Sequence, residues 1–185
     1  MKIYSLFVFV LMLAFSCSNK SELSKSFNCE TSEIKNDKEY LDFKNNFKLK
    51  LPSTWKTNKY YSEFQSEIFS ADTTKQLSES FIFDASYNFG NLKLDADYVK
   101  KTDSVLRMNN LEKIKSGQIL FQNKPALWYV VKGKKNGFPY HQFNLMVENT
   151  ETTYFSVYSE IYGDKNIEER ICESISIIDK IEFLQ

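Results

Sequence analysis

The sequence predicts an α+β domain in which an antiparallel β-sheet is flanked by helices. Three observations predict this class. Several segments alternate apolar and polar residues, as half-buried strands do, whereas two segments repeat their apolar residues at helical spacing. Short turn sequences separate most of the strands, as expected for hairpins. A chain of 185 residues with 42% hydrophobic residues is long enough to bury one core.

The first half of the domain contains clear strand patterns. Residues 40–43 and 47–51 predict a β-hairpin, and Trp55 follows as an expected core residue. In residues 81–89 the apolar side chains share one face of a predicted strand. Residues 60–71 fit either a strand or a short helix, and the sequence leaves that choice open.

The second half predicts two helices around a strand meander. Asp95 is the expected N-cap of a helix over residues 95–110. Four strands follow, at residues 112–121, 125–134, 138–148 and 152–161. Residues 126–131 are apolar on both faces, which predicts a sheet covered on both sides. Asp164 is the expected cap of a closing helix, and residues 177–184 either extend that helix or form a short strand.

The N-terminus has the pattern of a secretory signal peptide over residues 1–16. Lys2 supplies the positive charge, and residues 3–15 are apolar. This run is shorter than the roughly 20 residues that a spanning helix needs. The stretch Leu13-Ala14-Phe15-Ser16-Cys17 resembles a bacterial lipobox. The resemblance implies a diacylglyceryl thioether on Cys17, cleavage before it, and acylation of the new amine by a fatty acid such as palmitate.

Two or three acyl chains would hold the protein stably on a membrane, because one chain gives only marginal binding. The alternative is an ordinary signal peptide with an incidental cysteine. Ser18 and Asn19 give no strong retention signal, so the outer membrane or cell surface is favoured over the inner membrane. The predicted organisation is a signal peptide at 1–16, lipidated Cys17 with a flexible tether at 17–38, and one α+β domain at 39–185.

The other two cysteines, Cys29 and Cys172, are candidates for a disulfide, since the bacterial envelope permits oxidation of thiols. Such a bond would join the tether to the closing helix. The alternative is two free thiols, because sequence alone fixes no distance between them.

Charge and composition exclude several classes of function. The formal net charge is zero, and only Arg107 and Arg170 are arginines, so nucleic acid is not expected as a partner. The sequence has no phosphate-binding glycine loop, no metal-ligand spacing and no nucleophile elbow. The lone histidine, His141, is expected to be structural rather than catalytic. We therefore predict no metal, no cofactor and no enzymatic activity.

Two surface features are candidates for contacts. Tyr60 and Tyr61 lie near a predicted loop, and exposed tyrosines are favoured at protein interfaces. A hairpin tip contains Lys132, Lys134 and Lys135, which fit either a contact with anionic headgroups or a solvated turn.

The order of elements resembles the fold shared by the photosystem II subunit PsbP and a Ran-binding nuclear import factor, and especially the bacterial lipid-anchored relatives of that group. The stretches that carry the resemblance are FKLKLPSTW, the strand at 81–89 before the helix, and ILFQNKPALWYVV. The resemblance implies an α/β/α sandwich and mostly protein-binding members.

These features favour a membrane-anchored lipoprotein that binds or scaffolds an unidentified protein of the bacterial cell envelope. The alternative is a carrier or sensor of a small ligand, with a pocket between sheet and helix. An enzyme assembled from scattered residues is the third hypothesis, and it would depend on His141.

Overall fold

The structure, a computed structural model, describes residues 20–30, 34 and 36–184. The predicted signal peptide and Cys17 lie outside the described residues. Within the described part of the chain, no helix is long and apolar enough to cross a bilayer.

The described chain forms two antiparallel sheets and three helices, which confirms the predicted α+β class. The helices are α1 (Glu22–Ser26), α2 (Ala96–Met108) and α3 (Ile167–Ile178). The strands are β1 (Asp37–Leu41), β2 (Phe47–Pro52), β3 (Lys56–Tyr61), β4 (Gln65–Ala71), β5 (Ile82–Phe89), β6 (Glu112–Phe121), β7 (Lys124–Lys135), β8 (Phe138–Thr150), β9 (Thr153–Tyr162) and β10 (Glu182–Phe183). The large sheet has the order β3-β4-β5-β9-β8-β7-β6, and the small sheet has the order β1-β2-β10.

The main core lies between one face of the large sheet and a layer formed by the small sheet, α1 and α3. The rings of Phe47 on β2 and Phe155 on β9 are 5.0 Å apart at its centre. On the opposite face α2 covers β7, where Leu106 packs with the buried side chains of Leu127, Tyr129 and Val131. Strand β7 is therefore buried on both faces, as its sequence predicts.

Capping residues in the sequence predict the start of one helix correctly and the start of another wrongly. The Asp95 carboxylate accepts a hydrogen bond from the Tyr98 amide, so the predicted cap of α2 is present. The prediction that Asp164 caps α3 is wrong, because Asn166 directly precedes the helix. Asn166 has a left-handed backbone (φ 51°), which asparagine tolerates better than most residues, and its side chain makes no capping bond. Residues 60–71 contain no helix: they form the end of β3, a turn, and β4.

The segment predicted to be a flexible tether differs from that prediction over residues 20–30. Leu23 of α1 is only 1% exposed, and the Phe27 ring lies 4.7 Å from the Trp128 ring. Ser21 and Ser24 both donate to the Asp179 carboxylate at the end of α3, at 2.8 and 2.9 Å. These few anchoring side chains are spaced too irregularly to form a recognisable sequence pattern. The folded unit therefore begins before residue 39.

A disulfide between Cys29 and Cys172 closes this contact. The two Cα atoms are 5.4 Å apart, and the cysteines are 143 positions apart in the sequence. Cys29 is buried and Cys172 lies on α3, so the bond fastens the N-terminal segment to the layer that covers the large sheet.

We expect the double variant Cys29→Ala, Cys172→Ala to lower the free energy of unfolding by about 2–4 kcal/mol, because the bond restricts the unfolded chain. Urea denaturation monitored by tryptophan fluorescence measures the change. Reductant should destabilise the wild-type protein by a similar amount and leave the double variant unaffected. Equal stability of the oxidised wild type and the double variant would contradict this expectation.

Candidate protein interface

Four aromatic side chains from separate segments form an exposed surface that we call the aromatic patch. It consists of Phe43, Tyr61, Phe64 and Phe89, which are 50, 65, 67 and 38% exposed. The rings of Phe43 and Tyr61 are 5.2 Å apart. The segments that carry the other two rings are joined by a backbone hydrogen bond, in which the Phe89 amide donates to the Phe64 carbonyl at 2.8 Å. Exposed aromatic clusters of this kind are typical of protein-binding surfaces.

The turn that presents Phe43 is held by a buried carboxylate. Asp42 is 1% exposed, and its side chain accepts hydrogen bonds from the amides of Lys44, Asn46 and Phe47 at 2.6–3.2 Å. Within this turn Asn45 has a positive φ of 56°. The turn is thus fixed before any partner arrives.

The turn between β3 and β4 is held by a hydroxyl in a similar way. The Ser62 side chain accepts hydrogen bonds from the amides of Phe64 and Gln65 at 3.1 and 3.2 Å. The Ser62 amide in turn donates to the Gln65 carbonyl at 2.8 Å. Phe64 therefore projects from a constrained turn, and binding would lose less conformational entropy there than in a floppy loop.

Two lysines lie among these rings. The Lys44 ammonium is 4.6 Å from the centre of the Phe89 ring, and the Lys59 ammonium is 4.7 Å from that of Phe43. Each ammonium also donates to a backbone carbonyl, of Ser62 and Leu41 respectively. Neither lysine takes part in the salt bridges of the described residues. The patch thus offers apolar surface together with positive charge.

The tyrosines and lysines that the sequence offered as contact candidates do not form one surface in the structure. Tyr61 belongs to the aromatic patch, whereas Tyr60 points to the opposite face of β3, because neighbouring strand residues alternate. Lys132 pairs with Glu112 at 3.1 Å and Lys135 pairs with Glu160 at 2.9 Å. Two of the three hairpin lysines are therefore engaged within the domain, which favours the structural interpretation of that hairpin.

A group of carboxylates lies on the same face of the large sheet as α2, beyond the strand that this helix covers. Burial raises the pKa of Asp84 to about 7, and the negative charge of Glu67 adds to the effect. The Ser86 hydroxyl donates to the Asp84 carboxylate at 3.1 Å, which partly offsets the shift. Burial also raises the pKa of the nearby Tyr158 to about 12. Within the described part of the chain, no group of three or more His, Cys, Asp or Glu side chains is arranged to hold a metal ion.

His141 is half-buried on β8, across from Lys132 on β7. Its Nδ1 atom has no hydrogen-bond partner among the described residues. Burial lowers the pKa of its imidazole, with the positive charges of Arg170 and Lys132 contributing. The nearby groove holds charged side chains, which include Glu112 and Asp164.

The junction between the large sheet and the start of α2 contains grooves rather than an enclosed cavity. Three grooves of about 420–500 Å³ open to solvent there, and adjacent ones share Leu94, Gln118, Pro125 or Glu148. The Leu94 amide donates to the Glu148 carboxylate and closes the sheet against the loop before α2. Such open, mixed surfaces bury a small ligand poorly.

No protein-family model matches the chain, and no curated protein matches it. Solved structures share its fold. The cyanobacterial PsbP protein CyanoP from Synechocystis sp. PCC 6803 has a TM-score of 0.55 at 10% identity, with 84% of this chain and 96% of that protein covered. A mutant of the protein Mog1 has a TM-score of 0.53 at 10% identity, with 81% and 97% covered.

A protein from Bacteroides thetaiotaomicron VPI-5482 is similar as well, with a TM-score of 0.50 at 13% identity over 80% of this chain. The chain spans about half, 48%, of that protein's length. At identities this low the likeness defines the fold and nothing further. The chain therefore has the α+β fold of PsbP and Mog1. This likeness in fold says nothing about the role of the aromatic patch.

The raised pKa of Asp84 predicts a pH-dependent stability. Between about pH 4 and pH 7 the unfolded state loses the Asp84 proton while the folded state keeps it, so stability falls as pH rises and stays lower above pH 7. We expect Asp84→Asn to stabilise the protein at pH 8 by on the order of 2 kcal/mol and to have no effect near pH 4. Urea denaturation at both pH values measures this. Asp164→Asn, at an exposed position, is the control, and an equal gain from it would contradict the assignment.

Proposed function

We propose that this protein is a lipoprotein that is anchored to a membrane of the bacterial envelope and binds or scaffolds another protein there. The aromatic patch carries the proposal, because it combines exposed rings, constrained turns and two lysines without carboxylate partners in the described residues. The lipobox-like sequence at Cys17 supports the anchor, with the outer membrane or cell surface favoured.

The positions of the patch and of the N-terminal segment agree with this role. α1 lies beside β6, where the Glu22 carboxylate accepts from the Leu120 amide at 3.1 Å. β3 and the patch lie at the other edge of the large sheet, six strand spacings away. At about 4.8 Å per spacing this is about 29 Å. Cys17 is four residues before Ser21, so a lipid there is within about 14 Å of α1.

This arrangement would hold the β6 edge near the lipid headgroups and direct the patch away from them, toward a soluble or membrane-bound partner. The disulfide holds the N-terminal segment on the domain. The domain would therefore reorient less freely relative to its anchor than one on a flexible tether. We propose that the domain works by binding alone, without catalysis. The grooves beside α2 are open to solvent, so they support the small-ligand carrier less well than the patch supports a protein interface.

We expect Cys17→Ser to release the protein from the membrane fraction or to block its processing, because the thioether can form only on a thiol. Membrane fractionation and metabolic labelling with a fatty-acid analogue measure this in cells that make the protein. Cys29→Ser is the control, since that cysteine is committed to the disulfide. A Cys17→Ser protein that is labelled and fractionates like the wild type would exclude the anchor.

The aromatic patch predicts site-specific crosslinking. A photoreactive phenylalanine analogue in place of Phe64 should crosslink one protein in intact cells. Adding Tyr61→Ser should reduce the yield at least about tenfold, because aromatic side chains dominate binding energies at interfaces. Phe138 is the matched control, being 64% exposed at the start of β8. Equal crosslinking from Phe64 and Phe138, or none from Phe64, would contradict the proposed interface.

A further inference from the structure

The two edges of the large sheet are protected differently. Strand β6 contains a bulge between Lys113 and Lys115, and α1 packs beside it. One of its backbone amides is also engaged, since the Leu120 amide donates to the Glu22 carboxylate. The Lys115 side chain adds a hydrogen bond to the Ser26 carbonyl of α1. Bulges and covering elements are common means of preventing further strand pairing at an edge. The β6 edge is therefore closed to an additional strand.

Strand β3, at the other edge, lacks these devices. It pairs with β4 in unbroken register from Lys56 to Tyr61, and it contains no proline. A lysine side chain pointing outward often discourages pairing at an edge. Here the Lys59 ammonium is instead directed along the molecule to the Leu41 carbonyl and the Phe43 ring. The β3 edge is therefore regular and open.

Hydrogen-bond alternation identifies which backbone groups are free. The Ser62 amide donates to the Gln65 carbonyl across the β3–β4 turn. In an antiparallel pair, every second residue bonds to its neighbour strand, so Lys56, Asn58 and Tyr60 direct their amides and carbonyls to β4. The intervening residues, Thr57, Lys59 and Tyr61, direct theirs outward. An extended segment placed beside β3 would meet this row of donors and acceptors.

The side chains along this edge define the chemistry of such a segment. On one face Tyr61 and Phe43 offer apolar contacts beside the Lys59 ammonium. On the other face lie Tyr60 and Asn58, both exposed. Lys44, Lys56 and Lys59 all lie outside the salt bridges of the described residues. An incoming strand with alternating apolar side chains and at least one carboxylate would complement both the rings and the charge.

We infer that the β3 edge binds an extended, acid-containing segment of the partner protein as an eighth strand of the large sheet. The inference rests on the proposed protein-binding function and specifies its mode. Main-chain hydrogen bonds from Thr57, Lys59 and Tyr61 supply register, and the aromatic patch receives alternate side chains of the segment.

Lys59→Pro is the decisive substitution. Proline removes the outward amide of residue 59 and is tolerated on an edge strand whose N–H faces solvent, so the β3–β4 ladder stays intact. Lys59→Ala is the matched control, because it removes the charge and keeps the amide. Thr57→Pro removes a second outward amide and serves if Lys59→Pro fails to fold by circular dichroism.

A phage-displayed library of ten-residue segments, selected on the oxidised domain, supplies the probe. We expect selected segments to be rich in alternating apolar residues with glutamate or aspartate, and to lose at least about tenfold in affinity for Lys59→Pro. The loss for Lys59→Ala should be only a few-fold. Hydrogen exchange should show slowed exchange of the Thr57, Lys59 and Tyr61 amides in the complex. Equal binding to both variants, unchanged exchange, or failure to select any segment would overturn the inference.

Further measurements distinguish a failure of this inference from a failure of the proposed function. If crosslinking from position 64 in cells persists in Lys59→Pro, the protein interface stands and strand addition is wrong. If position 64 does not crosslink in the wild type, the proposed function itself fails. Slowed exchange of these amides that depends on protein concentration alone, with a dimer in sedimentation velocity, would also overturn the inference in favour of a second copy of this chain.

Discussion

The apolar face of the seven-stranded sheet is the constraint on which the rest of the structure depends. Its fully buried rings and aliphatic side chains need a cover, and the small sheet and α3 supply most of it. The N-terminal segment completes the cover with Leu23 and Phe27. Because Cys29 bonds to Cys172 on α3, two parts of the covering layer are fastened together. Residues 20–30 consequently belong to the folded unit.

This cover gives the two edges of the large sheet different properties. At the edge formed by β6, α1 packs alongside, and its Glu22 carboxylate accepts a hydrogen bond from the Leu120 amide. At the edge formed by β3, no further strand of the described chain pairs with the sheet. The turn between β1 and β2 contacts β3 through side chains, and the neighbouring turns hold exposed rings in fixed positions. Preorganised rings beside a free edge lower the entropic cost of binding. The asymmetry therefore separates the edge that the N-terminal segment covers from the edge that stays open to another strand.

Burial on the other face of the sheet has an electrostatic cost. α2 covers β7, but Asp84 on β5 is largely removed from water, and both this burial and the negative charge of Glu67 raise its pKa. The folded state therefore holds a proton near neutral pH that the unfolded state releases. Six lysines of the described residues form salt bridges, among them Lys135 with Glu160 and Lys132 with Glu112. Lys44 and Lys59, beside the aromatic patch, are among the lysines that form none.

The sequence by itself determined the α+β class, α2 with its Asp95 cap, and the burial of β7 on both faces. These features follow from side-chain periodicity and from contacts between residues close in the chain. Only the tertiary structure decided that residues 20–30 pack on the domain, that Asn166 rather than Asp164 precedes α3, and that Tyr61 rather than Tyr60 joins the patch. The patch unites Phe43 and Phe64, from two separate turns, with Phe89 at the end of β5. No local pattern encodes that convergence, because the packing of the two sheets brings those turns together.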